Sequence, residues 1–237
     1  PLTCSAYTET FYLSASGDAT APETIAGAWD MSDISTDGTH WDTDDEDDGR
    51  LGPNDRLIVL DDDGVFRSQL TVQGSGLSGK PITIVGEDGG SPEINGADVV
   101  ETWSVVGATK VYSAVCNWTA RQVFEDDVAL TFVTWDSDID TTDENMEAGT
   151  WTLDTTGDLI YVWATDELDP DTHTMEVTTR DACILAGSKT YLSFEDLHLS
   201  KSNLRNLTFT MGAWNGFYLN LDGLTLDYAW EEAIYIG

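Results

Sequence analysis

Apolar and polar positions alternate in short bursts along this chain, and one burst is written twice. Residues 191–199 read YLSFEDLHL and residues 218–226 read YLNLDGLTL, so Leu192 recurs as Leu219 at an offset of 27. In each copy, alternating apolar residues (Leu192, Phe194, Leu197 and Leu199, then Leu219, Leu221, Leu224 and Leu226) are interrupted once by an acidic corner. Strict alternation predicts half-buried strands, and the corner predicts a bend between them. The match continues, with Leu207 and Phe209 aligning with Ile234 and Ile236. A β-rich unit recurring at this length, with no helical spacing between copies, predicts coils that stack and bury one another's inward faces. The expected fold is therefore all-β, a right-handed parallel β-helix.

Upstream, residues 10–14 predict a first strand that opens into a Gly-, Asp-, Ser- and Thr-rich loop region spanning residues 15–52. The β-branched runs at 56–60, 69–72 and 81–85 are separated by turn residues, and 92–96 fits one more turn. Short strands at near-even spacing continue the solenoid pattern. The period is lost between about residues 102 and 181. There, 121–130 reads as a hairpin turning at its acidic centre, and 150–163 as a hairpin turning at Thr156-Gly157-Asp158. The expected organisation is an N-terminal cap and first coils (1–101), an inserted antiparallel β-module (102–181), and further coils (182–237). The chain is expected to be truncated, because it stops at Ala233-Ile-Tyr-Ile-Gly237 without the polar cap that solenoids need.

Composition sharpens this picture. Over 237 residues, apolar types make up 41% and include nine Trp, which separates the chain from disordered acidic tails. A formal charge of −34 implies strong self-repulsion unless salt or bound cations screen it. It also argues against nucleic acid as a partner, since phosphate recognition needs clustered Lys and Arg. No stretch approaches the roughly 20 apolar residues of a membrane span, so no membrane insertion is expected. Cys4, Cys116 and Cys183 are too few and too scattered for a disulfide scaffold or zinc motif and read as buried or incidental thiols.

Two patches could carry chemistry. Counted from Asp44, oxygen-bearing residues fall at Asp44, Glu46 and Asp48, Gly49 takes the sixth place, Leu51 the eighth and Asp55 the twelfth. This is the spacing of a calcium loop, with Arg50 at its seventh position, where the ligand is a backbone carbonyl. Position 12 is the shorter Asp, and Pro53 with a strand replaces the exit helix, so the loop reads either as a calcium site or as a solvated acidic loop. The second patch gathers Trp214, Tyr228, Trp230, Glu231 and Glu232 near a coil corner. Aromatic rings stack on sugars and carboxylates bind their hydroxyls, so the patch reads as a carbohydrate contact or as aromatics packed under a corner. Glu231 and Glu232 can act together only in a turn, because strand neighbours face opposite ways. His40, His173 and His198 are scattered, and His198, flanked by Leu197 and Leu199, is expected to face outward.

Gly52-Pro53-x-Asp55 followed by a strand, then Ser78-Gly79-Lys80-Pro81-Ile82-Thr83-Ile84, then Ile94-x-Gly96, resembles the opening coils of right-handed β-helix repeat proteins. That group spans polysaccharide lyases, glycoside hydrolases and phage tailspikes. The block with Met146-x-x-Gly149-x-Trp151, Leu159-Ile-Tyr161-Val162 and Asp169-Pro170 is similar to the module inserted in many of them. The resemblance covers most of residues 52–237 and implies a fold but no catalytic residue, because one fold hosts many activities. The leading expectation is a structural or adhesive surface protein: a virion fibre or spike component, outside the cell, that presents its coils to host-surface glycans. Its expected partners are those glycans and its own copies in a homotrimer or other virion proteins. The alternative is the N-terminal part of a secreted polysaccharide-degrading enzyme, a hydrolase or lyase, whose active site lies downstream.

Overall fold

The computed structural model describes residues 7–17, 21–36, 38–44, 48–61, 64–107, 109–134, 146–210 and 218–237. The chain is all-β, and its strands among these residues lie in five separate sheets instead of one continuous array. It divides into two compact units, residues 1–96 with 180–237, and residues 97–179. The insert thus begins and ends earlier than residues 102 and 181, because Ala97–Val99 pairs antiparallel with Met175–Thr178 inside the second unit.

In the first unit all three sheets are parallel. The first orders Thr10–Leu13, Arg56–Val59, Ile82–Gly86, Leu192–Glu195 and Leu219–Asp222. Leu192 pairs with Leu219, the neighbour the repeated phrase predicts, and Leu207 pairs with Ile234. The same step of 27 separates Leu57 from Ile84, a repeat the sequence hides. Leu192 lies 110 residues after its other neighbour Ile82, and subtracting the 83 residues of the second unit leaves 27. The insert is therefore added to a coil of ordinary length. The two residues that flank it are joined by a hydrogen bond from Arg180 N to Gly96 O at 2.9 Å. Glycine is required at 96, since a Cβ there would lie 2.6 Å from Ser202 Cα.

Inward residues form continuous ladders. Phe11, Leu57, Ile84, Phe194 and Leu221 align across the first sheet, and Leu70, Ile184, Leu207 and Ile234 across the second. Each ladder is fully buried except for its last member, which is partly buried. Burying such a side chain contributes about 1.5–3 kcal/mol. The acidic corners hold their bend through left-handed residues, Asp196 (φ 51°) and Gly223 (φ 63°).

The segment 15–52 departs from the expected loop. It contains a helix, Met31–Thr36, and buries Trp29, Met31, Ile34, Trp41 and Leu51 against the first unit's core. The helix starts in a reciprocal cap: Asp33 N donates to Asp30 Oδ1 (3.0 Å) and Asp30 N to Asp33 Oδ2 (2.9 Å). Six residues are too few for helical periodicity to stand out. Burial pushes the Asp30 carboxyl up, but hydrogen bonds from Ser32 Oγ and the N–H groups of Asp33 and Ser32 outweigh it and hold the group below its usual range. A depressed folded value means that the contribution is full above the unfolded carboxylate pKa of about 3.9 and is lost as pH falls through the folded value. Asp30→Ala should therefore cost about 1 kcal/mol at neutral pH. Urea titrations of both proteins should converge in acid, and a difference that persisted there would contradict the cap.

In the second unit the two expected hairpins form. Val123–Glu125 pairs with Val128–Ala129 around Asp126 and Asp127, both with positive φ, and Thr150–Asp154 pairs with Leu159–Trp163. Trp151, Ile160, Val162, Met175 and Val177 contribute to its own core. Cys116 and Cys183 are buried free thiols, one in each unit; burial pushes the Cys183 thiol up to about 12. Cys4 lies outside the described residues.

Candidate functional site

The third parallel sheet of the first unit joins Glu93–Asn95, His198–Ser200 and Thr225–Asp227. Ile94 and Leu199 point inward and are fully buried, with Leu226 packed beside them. Alternation therefore turns Glu93, Asn95, His198, Ser200, Thr225 and Asp227 to the other face. His198 Nε2 lies 3.1 Å from Asp227 Oδ2. Asn95 Nδ2 donates to Glu93 Oε1 at 3.0 Å, and Ser200 Oγ donates to the same oxygen. Asn95 and Ser200 are themselves buried, so the Glu93 carboxylate is held in a fixed direction. The strands carrying Glu93 and Asp227 lie two strand spacings apart, about 10 Å, with that of His198 between them. Glu93 is in register with His198 and Thr225, and Asp227 with Ser200 and Asn95. No single-strand pattern could reveal this cluster, because each strand supplies only one or two of its members.

Tyr228 and Trp230 follow Asp227 directly and are half exposed. They are not packed away under the corner. Glu231 and Glu232 lie where the chain bends before Ile234–Ile236, and both engage Arg205: Nη2 lies 2.6 Å from Glu231 Oε2, and Nε donates to Glu232 Oε2 at 2.8 Å. Arg205 also lies over the Tyr235 ring at 4.2 Å. The hydrogen bond to Glu232, opposed by slight burial and aided by the charges of Glu231 and Glu232, holds the guanidinium still more firmly protonated. The two glutamates thus converge, as a bend allows, but onto an arginine. Trp214 lies outside the described residues.

In the acidic loop, Arg50 draws the carboxylates together. It contacts Asp42 Oδ2 at 2.8 Å through Nη2 and Asp48 Oδ2 at 2.8 Å through Nε. Asp48 is consequently held below the ordinary carboxylate range, first by its hydrogen bond from Arg50. Asp55 is fully buried and accepts from Gly52 N at 2.8 Å and Glu9 N at 2.9 Å, which fixes the turn that feeds Arg56–Val59. Asp44 is exposed and Glu46 lies outside the described residues. Asp48 and Arg50 are brought together, whereas the Asp55 carboxylate is directed at backbone amides.

No family model matches the chain, and no curated protein matches it. Two solved structures do. One is the complex of XylC with xylose, at a TM-score of 0.62 and 12% identity over 93% of this chain. The other is a glycoside hydrolase, at a TM-score of 0.55 and 9% identity over 83% of this chain. This chain spans 42% and 51% of their respective lengths. At such identities the likeness is one of fold alone.

Proposed function

We propose that this chain is the coil-bearing part of a carbohydrate-active protein, with residues 1–96 and 180–237 wound as a right-handed parallel β-helix and a sugar-binding surface on its third sheet. The observation that carries the reading is the outward face of Glu93, His198 and Asp227 beside the half-exposed Tyr228 and Trp230. Carboxylates and imidazole bind sugar hydroxyls, while exposed rings stack on the apolar faces of pyranoses. Glu231 and Glu232, held together and half offset in charge by Arg205, shape the edge of that surface. Of the two solved structures similar in fold, one is a complex with xylose and the other a glycoside hydrolase, which supports the polysaccharide-degrading alternative ahead of the virion-fibre expectation. The substrate class to try first is xylose and its β-linked oligomers.

Titration of the protein with xylo-oligosaccharides, followed by tryptophan fluorescence and by amide chemical shifts, should give saturable changes centred on residues 225–230. Trp230→Ala should weaken binding by about 5–150-fold, the loss of a stacking contact worth about 1–3 kcal/mol. Spectra unchanged by a panel of pentose and hexose oligosaccharides would overturn the reading.

A further inference from the structure

We propose a divalent transition-metal site in the second unit, formed by Glu125, Asp166 and His173, with zinc as the ion its chemistry suits best. One ligand atom from each of the three residues lies within 4.8 Å of the other two. They come from three places in the chain: the end of the strand Val123–Glu125, the turn after Leu159–Trp163, and the residue two before Met175–Thr178. Antiparallel pairing of Met175 with Glu125 brings the first and third together.

The imidazole is oriented for the task. Its Nδ1 lies 2.8 Å from Asp126 Oδ2, and the other Asp126 oxygen accepts from Thr174 N at 2.9 Å. A carboxylate holding Nδ1–H fixes the tautomer that leaves a lone pair on Nε2, the arrangement found behind metal-bound histidines. That Nε2 is buried and makes no hydrogen bond. It faces Asp166 Oδ1 at 3.3 Å. Zinc bonds of about 2.1 Å in tetrahedral geometry put neighbouring ligand atoms about 3.4 Å apart, so this edge already fits an ion. Glu125 is 4% exposed, its oxygens accept from Thr165 N and Thr165 Oγ1, each at 2.9 Å, and its Oε1 lies 3.5 Å from the Nδ1 edge of the His173 ring, within the 4.8 Å span of the three ligand atoms.

Charge completes the case. Three carboxylates, Glu125, Asp126 and Asp166, converge on a single imidazole, and one imidazolium offsets only one of them. Only Glu125 of the three is buried, Asp126 and Asp166 being 58% and 41% exposed, so water screens part of this excess and a dication supplies the rest. The mixed nitrogen and oxygen set favours zinc and its neighbours over calcium, which prefers six or more oxygens. The site is separate from the acidic loop at residues 44–55 and from the proposed sugar surface, both of which lie in the first unit.

The test is calorimetry of the full chain, stripped with chelator, titrated with zinc chloride in excess magnesium so that the diffuse acidic surface stays occupied. One saturable site per chain is expected. His173→Ala and Asp166→Asn should each abolish it, and Asp126→Asn should weaken it by about 10–100-fold, the usual effect of losing the partner behind a ligating histidine. Cobalt should give the visible absorption of a tetrahedral site in the wild type and lose it in His173→Ala. Because Asp166 lies on an exposed turn, Asp166→Asn tests the site without disturbing the core. No saturable zinc heat in the wild type, or equal zinc affinity in the wild type and both ablating variants, would overturn the proposal.

Discussion

Replacing Phe194 with alanine is expected to cost the first unit about 3–5 kcal/mol, the range for deleting a buried aromatic ring. Phe194 is fully buried between Ile84 and Leu221 in the first-sheet ladder and meets the Phe209 ring edge-on at 5.9 Å. Its removal would open a void against three strands at once, and close-packed interiors relax into such voids only partly. Leu221→Ala, on the neighbouring strand where burial is partial, should cost clearly less. Chemical denaturation of the two variants compares them directly. A loss of under about 1 kcal/mol for Phe194→Ala would mean that the ladder is not the core it is described as.

Asp55→Ala is expected to be nearly as damaging, although it removes a polar side chain. Its carboxylate accepts from the amides of Gly52 and Glu9, which lie on different passes of the chain. An amide left without a partner in a buried setting costs about 1–3 kcal/mol, so the two together should cost about 2–6 kcal/mol. Asp55→Asn keeps one carbonyl acceptor and should fall between the wild type and alanine. Melting curves with and without calcium separate this structural role from the ion-binding role that the spacing of residues 44–55 suggests. A loss of stability independent of calcium is the expected result. A calcium-induced rise in Tm that Asp55→Ala removes would instead return Asp55 to the ligand set.

Asp55 shows where reading from sequence stops. An acidic residue at the twelfth place of an oxygen-rich loop has the same letters whether it points at a cation or at two amides. Only the position of the strand Thr10–Leu13 beside Arg56–Val59 brings Glu9 N within reach. Glu231 and Glu232 are similar. Their adjacency was legible, and so was the need for a turn, but Arg205 lies one coil away and becomes their partner through parallel stacking at a step of 27.

The repeated phrase alone determined that Leu192 and Leu219 would be neighbours and that their apolar alternates would face inward, because stacked strands with matching patterns bury the most apolar surface in one register. Local turn residues likewise determined the acidic corners and both hairpins of the insert. Tertiary structure alone decided which residues meet across gaps. Glu93 meets His198 only because the coil resumes after an excursion of 83 residues, and Asp227 reaches it from the next coil. Glu125 and His173 meet through antiparallel pairing, while Asp166 arrives on a turn whose Thr165 bonds Glu125. Local pattern sets which way a side chain points, whereas long-range pairing sets what it finds there, and a single sequence carries no direct record of the second.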